Sequence, residues 1–111
     1  MKKALVLGAA GQIGTELVAA LRTRLGAENV WATDLRREGL TQPCAELNAM
    51  DEEALRTLVQ EQGITQVYHL VAMLSATGEK MPEKAWALNM NTLFYVLNMA
   101  KEGLIKQVFW P

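Results

Sequence analysis

The sequence predicts an α/β fold: a doubly wound parallel sheet of five strands in the order 3-2-1-4-5, with helices on both faces. Three observations predict it. Short apolar runs alternate with segments of helical periodicity along the chain. The repeat of strand, helix and strand calls for right-handed crossovers, which generate a parallel sheet. A glycine-rich turn follows the first apolar run and opens the first helix, at the edge where such sheets bind ligands.

Residues 3–7 (KALVL) form an apolar run suited to a strand buried on both faces, bounded by Gly8. From residue 12 to 25, Ile13, Leu17, Val18, Leu21 and Leu25 recur at helical spacing, and Gly26 ends the helix. Residues 29–34 (NVWATD) read as the second strand, 36–43 as a polar loop, and 44–48 (CAELN) as a short third strand. Asp51 is a good N-cap for a helix whose apolar face is Ala54, Leu55, Leu58 and Val59, and Gly63 closes it. Residues 66–72 (QVYHLVA) form the fourth strand, and Gly78 and Pro82 mark a loop after it. A long helix over 83–102 carries two apolar stripes, one through Trp86, Met90, Leu93, Leu97 and Ala100, the other through Leu88, Val96 and Met99. One stripe suffices to cover a sheet, so the other needs a partner. Gly103 closes this helix, and residues 105–110 (IKQVFW) make the fifth strand.

At 111 residues the chain is one small domain's worth, 1–111, with half its residues hydrophobic and a fifth charged. The net charge of −1, with both signs scattered, favours neither a nucleic-acid nor a membrane surface. A single cysteine, Cys44, and a single histidine, His69, allow no disulfide within the chain and no Cys/His-rich metal site. They fit a reducing cytoplasm. The opening MKKALVLGAAG imitates a signal peptide, but residues 4–7 are too short for its apolar segment, and a first strand explains them better. His69, alone in an apolar strand, reads as a core residue before a catalyst.

The turn reads GAAGQIG, with Gly8, Gly11 and Gly14 in the spacing G-x-x-G-x-x-G. In a dinucleotide site Gly8 serves the tight turn, Gly11 lets the pyrophosphate approach the backbone, and Gly14 lets the helix pack closely. The helix start then supplies N–H groups and a positive dipole end to the anion. Asp34 ends the second strand, twenty residues after Gly14, where a carboxylate can accept both ribose hydroxyls. It repels a 2′-phosphate and so favours NAD over NADP, although Arg36 and Arg37 stand close enough to accommodate one.

These features resemble the extended short-chain dehydrogenase/reductase (NAD-dependent epimerase/dehydratase) family. The run YHLVAMLSATGEKMPEKAWALNMNTLFYVLNMAKEGLIKQVFWP is similar to the short-chain type of L-threonine 3-dehydrogenase, with its LSA-x-GE-xx-P-xx-AW-xx-NM pattern. The resemblance implies a Rossmann-type fold, NAD as cofactor, and oxidation of L-threonine to 2-amino-3-ketobutyrate. By position it places Gln12 and Ile13 at the pyrophosphate, and Asp34 and Leu35 at the adenosine ribose. Asn48 and Ala49 stand where the family has an acidic Asp followed by Val or Ile at adenine; Asn48 reads equally as a polar strand end. Leu70, Val71 and Ala72 would line the cofactor, although the family more often has two alanines there. Ser75 matches a serine near the substrate and reads equally as a loop serine. Asn89 matches a family asparagine that supports the site. The resemblance also implies a homodimer through the 83–102 helix.

Oxidising an alcohol needs a base for the hydroxyl proton. The family uses Tyr-x-x-x-Lys, but Tyr68 and Tyr95 are followed four residues on by Ala72 and Met99. The family's catalytic Ser or Thr and its substrate domain have no counterpart either. The resemblance therefore implies the N-terminal, cofactor-binding part of a longer enzyme, inactive by itself. Two other readings are a nucleotide-sugar epimerase or dehydratase, against which the segment around Ser75 and Glu79 argues, and a stand-alone NAD-binding module without chemistry.

Overall fold

A computed structural model describes residues 2–71 and 82–110. The strands are β1 (Ala4–Leu7), β2 (Val30–Asp34), β3 (Cys44–Glu46), β4 (Gln66–His69) and β5 (Gln107–Phe109); the helices are α1 (Gln12–Leu25), α2 (Glu52–Gln62) and α3 (Pro82–Lys101). All pairings are parallel, in the order β3-β2-β1-β4-β5, as the strand–helix alternation requires. β1 is central and fully buried, which explains its unbroken apolar run.

The side-chain alternation of the strands sorts the core into two layers. Ala4, Val6, Val30, Ala32 and Cys44 pack with Val18 and Leu21 of α1. Leu5, Leu7 and Val67 pack on the other face with Leu55 and Val59 of α2 and with Val96 and Met99 of α3. The small residues on the α1 face let that helix lie close. The Leu-rich face carries the bulk of the core.

Several strands stop short of their apolar runs, each for a local reason. β2 begins at Val30 because Ala27–Asn29 form a 3-10 turn, pinned by the Asn29 side-chain amide donating to Leu25 O at 2.7 Å. β3 ends at Glu46; Leu47 N–H still reaches Asp34 O at 2.8 Å, but Asn48 then turns the chain, its Oδ1 accepting Met50 N–H at 3.0 Å. β4 leaves the ladder after His69, where Leu70 N–H makes a last bond to Leu7 O at 3.0 Å. At β5, Ile105 is a buried plug rather than a strand residue. Ala72 and Ser75, with Gly78 and Glu79, lie outside the described residues.

The helix ends match their sequence signals. Asp51 Oδ1 accepts Ala54 N–H at 3.1 Å, and Gly63 closes α2 in the left-handed conformation at φ 65°. On α3 the stripes are redrawn. Val96 and Met99 pack into the core layer against the sheet, and Leu93, which sequence spacing grouped with the other stripe, is also buried. Trp86, Phe94 and Leu97 point outward, 69%, 49% and 43% exposed. No helix among the described residues is long and apolar enough to cross a membrane.

Candidate functional site

The site is built where β1 gives way to α1. Gly8 takes φ +83°, which a side chain rarely adopts, and its own added Cβ would stand only 3.1–3.2 Å from the backbone of Leu70 and Val71. The carbonyl of Thr33 on β2 then accepts two loop amides, Gly8 N–H at 3.0 Å and Ala9 N–H at 2.9 Å. Thr33 is itself buried and donates its hydroxyl to Val6 O at 2.8 Å. The loop is thus fastened to β2 by backbone, and sequence reading gives no sign of this role for Thr33.

The other two glycines differ in cause. A Cβ on Gly14 would lie 2.4 Å from Gly8 O and 2.8 Å from Ala9 Cα, so the close approach is to the loop itself. A Cβ on Gly11 would meet only Gly8 O, at an ordinary 3.6 Å. Among the described residues nothing therefore requires glycine at position 11.

Asp34, half-buried at the carboxyl end of β2, is tied to the same loop. Its Oδ2 accepts Ala10 N–H at 2.9 Å and its Oδ1 accepts Leu35 N–H at 2.7 Å. An ionised carboxylate has about four acceptor sites, so two remain for hydroxyl groups. The first amide of α1 to bond within the helix is Thr15 N–H, to Gly11 O at 2.9 Å. The amides of Gln12, Ile13 and Gly14 are those the helical ladder leaves over, and they carry the helix's positive dipole end. The side chains of Gln12 and Ile13 stand exposed on this first turn.

Beside the loop opens a cleft of about 120 Å³, at the carboxyl edge of the sheet. Among the predicted site residues Gly8, Asp34, Leu35, Asn48, Ala49 and Val71 line it. Leu7, Thr33, Leu47 and Leu88 complete the wall. Leu88 was foreseen only as part of a helical stripe; its place on the wall follows from how α3 packs. Leu70 separates from Val71, packing on the α1 side of the sheet. Asn48 is exposed at the rim, with its side-chain oxygen in the turn to Met50, so both of its sequence readings have a counterpart in the geometry. Asn89 lies half-buried on α3.

A larger cavity of about 310 Å³ lies between α1 and the loop before β3, and no predicted site residue borders it. Its one cation, Arg22, donates to the carbonyls of Val30, Thr41 and Pro43 at 2.9–3.1 Å and to the Thr41 hydroxyl. Burial lowers the pKa of this guanidinium, with Cys44 opposing the shift in smaller measure. Those carbonyl contacts make Arg22 a clasp for the loop rather than a ligand group.

His69 is buried at the end of β4, its Nε2 2.7 Å from the Thr92 hydroxyl. Burial also pushes the imidazole pKa below its ordinary value, with its own backbone a weaker opposing influence. The sequence reading of a core histidine holds, except that Nδ1 is buried without a hydrogen-bond partner among the described residues.

Chemically, the arrangement offers N–H donors to an anion at the start of α1 and carboxylate acceptors to a diol at the end of β2. Between them lie open space above Gly11 and an apolar slot. A dinucleotide has the matching parts in the matching order, so the residues present fit one.

The profile of the NAD dependent epimerase/dehydratase family matches residues 4–110. An uncharacterized epimerase/dehydratase of Staphylococcus saprophyticus is 44% identical over 116 residues, covering 100% of this chain and 36% of that protein. A partial consensus L-threonine 3-dehydrogenase is similar in structure, with a TM-score of 0.93 at 50% identity, over 98% of this chain and 36% of that one. The holo form of an L-threonine dehydrogenase from Cupriavidus necator gives a TM-score of 0.91 at 49% identity, with the same two coverages. The chain thus spans 36% of the length of each of these relatives. With the glycine loop, Asp34 and the sheet order in place and the family profile running from Ala4 to Trp110, this chain belongs to the NAD dependent epimerase/dehydratase family.

Proposed function

We propose that the cleft and the start of α1 bind NAD, and that the protein is an oxidoreductase resembling L-threonine 3-dehydrogenase. The observation that carries the cofactor reading is Asp34: its carboxylate lies on the cleft wall, anchored to the glycine loop at 2.9 Å, with acceptor sites to spare. The amides of Gln12, Ile13 and Gly14 hold the pyrophosphate, and Gly11 leaves it room. Asp34 and Leu35 hold the adenosine ribose, while Asn48 and Ala49 border adenine. Val71 continues the wall along the cofactor, and Asn89 supports it. NAD supplies the hydride acceptor for oxidation of an alcohol.

NAD is preferred to NADP because the Asp34 carboxylate repels a 2′-phosphate. Of the two nearby cations, Arg37 is directed at Cys44 Sγ, 3.9 Å away. L-Threonine is the proposed substrate, on the strength of the L-threonine 3-dehydrogenase relatives, with Ser75 near it. The 111 residues hold no Tyr-x-x-x-Lys pair to take the hydroxyl proton, so this chain alone binds the cofactor without turnover. The outward face of α3, with Trp86, Phe94 and Leu97, pairs two copies.

Calorimetric titration of NAD and NADP into the chain and its Asp34→Ala variant tests the cofactor reading. NAD should bind more tightly than NADP, and the substitution should weaken NAD about tenfold or more while narrowing the preference. No saturable NAD binding, or tighter NADP binding, would overturn it. For the substrate, the protein extended to the full length of its relatives should form NADH with L-threonine. Activity on nucleotide sugars alone would sink that assignment.

A further inference from the structure

His69 and Thr92 form a polar joint inside an apolar layer. His69 is 1% exposed and Thr92 fully buried, on β4 and α3 respectively. The Thr92 hydroxyl lies 2.6 Å from Leu88 O and 2.7 Å from His69 Nε2. A hydroxyl has one proton to give. With that proton donated to Leu88 O, Thr92 can only accept from His69. The imidazole therefore carries its hydrogen on Nε2, and Nδ1 is left a buried acceptor with no donor among the described residues.

The two ends of this joint lead to one place. Val71, two residues beyond His69, lines the cleft beside Asp34, and so does Leu88, the residue whose carbonyl holds Thr92. This hydrogen bond ties β4 to α3 directly. The rest of that contact is apolar and non-directional, with Val67 against Val96 and Met99 in one cluster.

We propose that the His69–Thr92 pair is a positioning device that fixes α3 against β4 and so sets the wall formed by Val71 and Leu88, on which the fit of the adenosine part of NAD depends. This rests on reading the cleft as the cofactor site. The device works only with a neutral imidazole. Protonation would charge a buried ring that, among the described residues, only its own backbone helps to hold. On α2 and at the end of α3, Glu52, Arg56 and Glu102 pair with one another at the surface. Tyr68 lies on the opposite face of the sheet, and Tyr95 is half-buried on α3.

The test titrates NAD into the chain and its Thr92→Val, Thr92→Ser and His69→Gln variants at about pH 7.5 and about pH 5.5, either side of the ordinary histidine pKa. Circular dichroism confirms that each is folded. Thr92→Val should weaken NAD about tenfold at the higher pH, and Thr92→Ser, which restores the hydroxyl, should recover most of it. Acid should weaken binding to the unsubstituted chain. His69→Gln keeps an N–H donor and cannot titrate, so it should bind equally at both pH values. A folded Thr92→Val that binds like the unsubstituted chain overturns the proposal, as does His69→Gln with the original acid sensitivity. Should Thr92→Val not fold, the His69→Gln profile decides. If the unsubstituted chain binds no NAD, the cofactor reading fails, and the methyl resonances of Val71 and Leu88 decide the rest. Their displacement in Thr92→Val or Thr92→Ser supports the positioning role, and unmoved resonances overturn it.

Discussion

Gly11 and Gly14 stand three residues apart in one loop, yet different forces hold them. Gly14→Ala forces a methyl to within 2.4 Å of Gly8 O, and backbone must shift to relieve it. The expected cost is about 1–3 kcal/mol, the usual price of overpacking, read as a lower urea midpoint. Gly11 has φ −71° and ψ 172° at the N-cap of α1, a conformation open to any residue and a position where serine is favoured. Gly11→Ser should therefore leave the urea midpoint unchanged or higher and weaken NAD about tenfold or more, because the side chain enters the space meant for the pyrophosphate. Equal stability losses in the two variants would contradict this division. His69 gives a pH dependence. Its folded-state pKa is below the unfolded value near 6.5, so the unfolded chain binds the proton first as pH falls. The stabilising contribution is present above that value and is lost below it, by at most about 1.4 kcal/mol per pH unit. Glu102, whose pKa is lowered mainly by its hydrogen bond to Arg56, acts in a separate window below the ordinary carboxylate range. Urea titrations between about pH 7.5 and 5.5 should thus show a loss in the unsubstituted chain that is absent in His69→Gln.

Among the elements, α2 was the most legible. Asp51 and Gly63 bracket it in sequence, and both act as caps in the structure. Asp51→Ala removes the acceptor for Ala54 N–H and should cost about 1 kcal/mol in urea or thermal unfolding, with NAD affinity little changed because α2 does not border the cleft. The strands were legible in place and type but too long in extent. Sequence records where apolar residues run, whereas a ladder ends where the neighbouring backbone turns away. β4 illustrates it: the run continues past His69, but β1 has already given way to the Gly8 turn. On α3 the spacing of apolar residues suggested two stripes without saying which met the sheet. Leu93 lies near the boundary between them, and only docking placed it inward.

Across the molecule, the two sheet faces are covered unequally. α2 and α3 cover the Leu-rich face, while α1 lies over β1 and β2 on the other. Beyond α1, Tyr68 of β4 stacks on Phe109 of β5 with ring centroids 4.3 Å apart, and Phe109 remains 40% exposed. With Trp86, Phe94 and Leu97 outward on α3, the molecule presents apolar surface on two sides. If the α3 face pairs two copies, sedimentation should report a dimer, and Leu97→Arg should shift it to monomer without lowering the unfolding midpoint. Retention of the dimer in that variant would place the contact elsewhere.

The sequence alone determined the parallel order of the sheet, the strand–loop–helix that carries the glycines, and the acid at the end of β2. These are local matters: period, glycine spacing and strand–helix alternation are written in consecutive residues. Tertiary structure decided which residues share the cleft. Val71 and Leu88 are far apart in sequence, and Thr33, an unremarkable strand residue, holds the loop through its carbonyl, which no side-chain pattern reports. The joint between His69 and Thr92 arises in the same way. Its partners lie 23 residues apart on different elements, and their meeting depends on the packing of α3 against β4 rather than on any spacing along the chain.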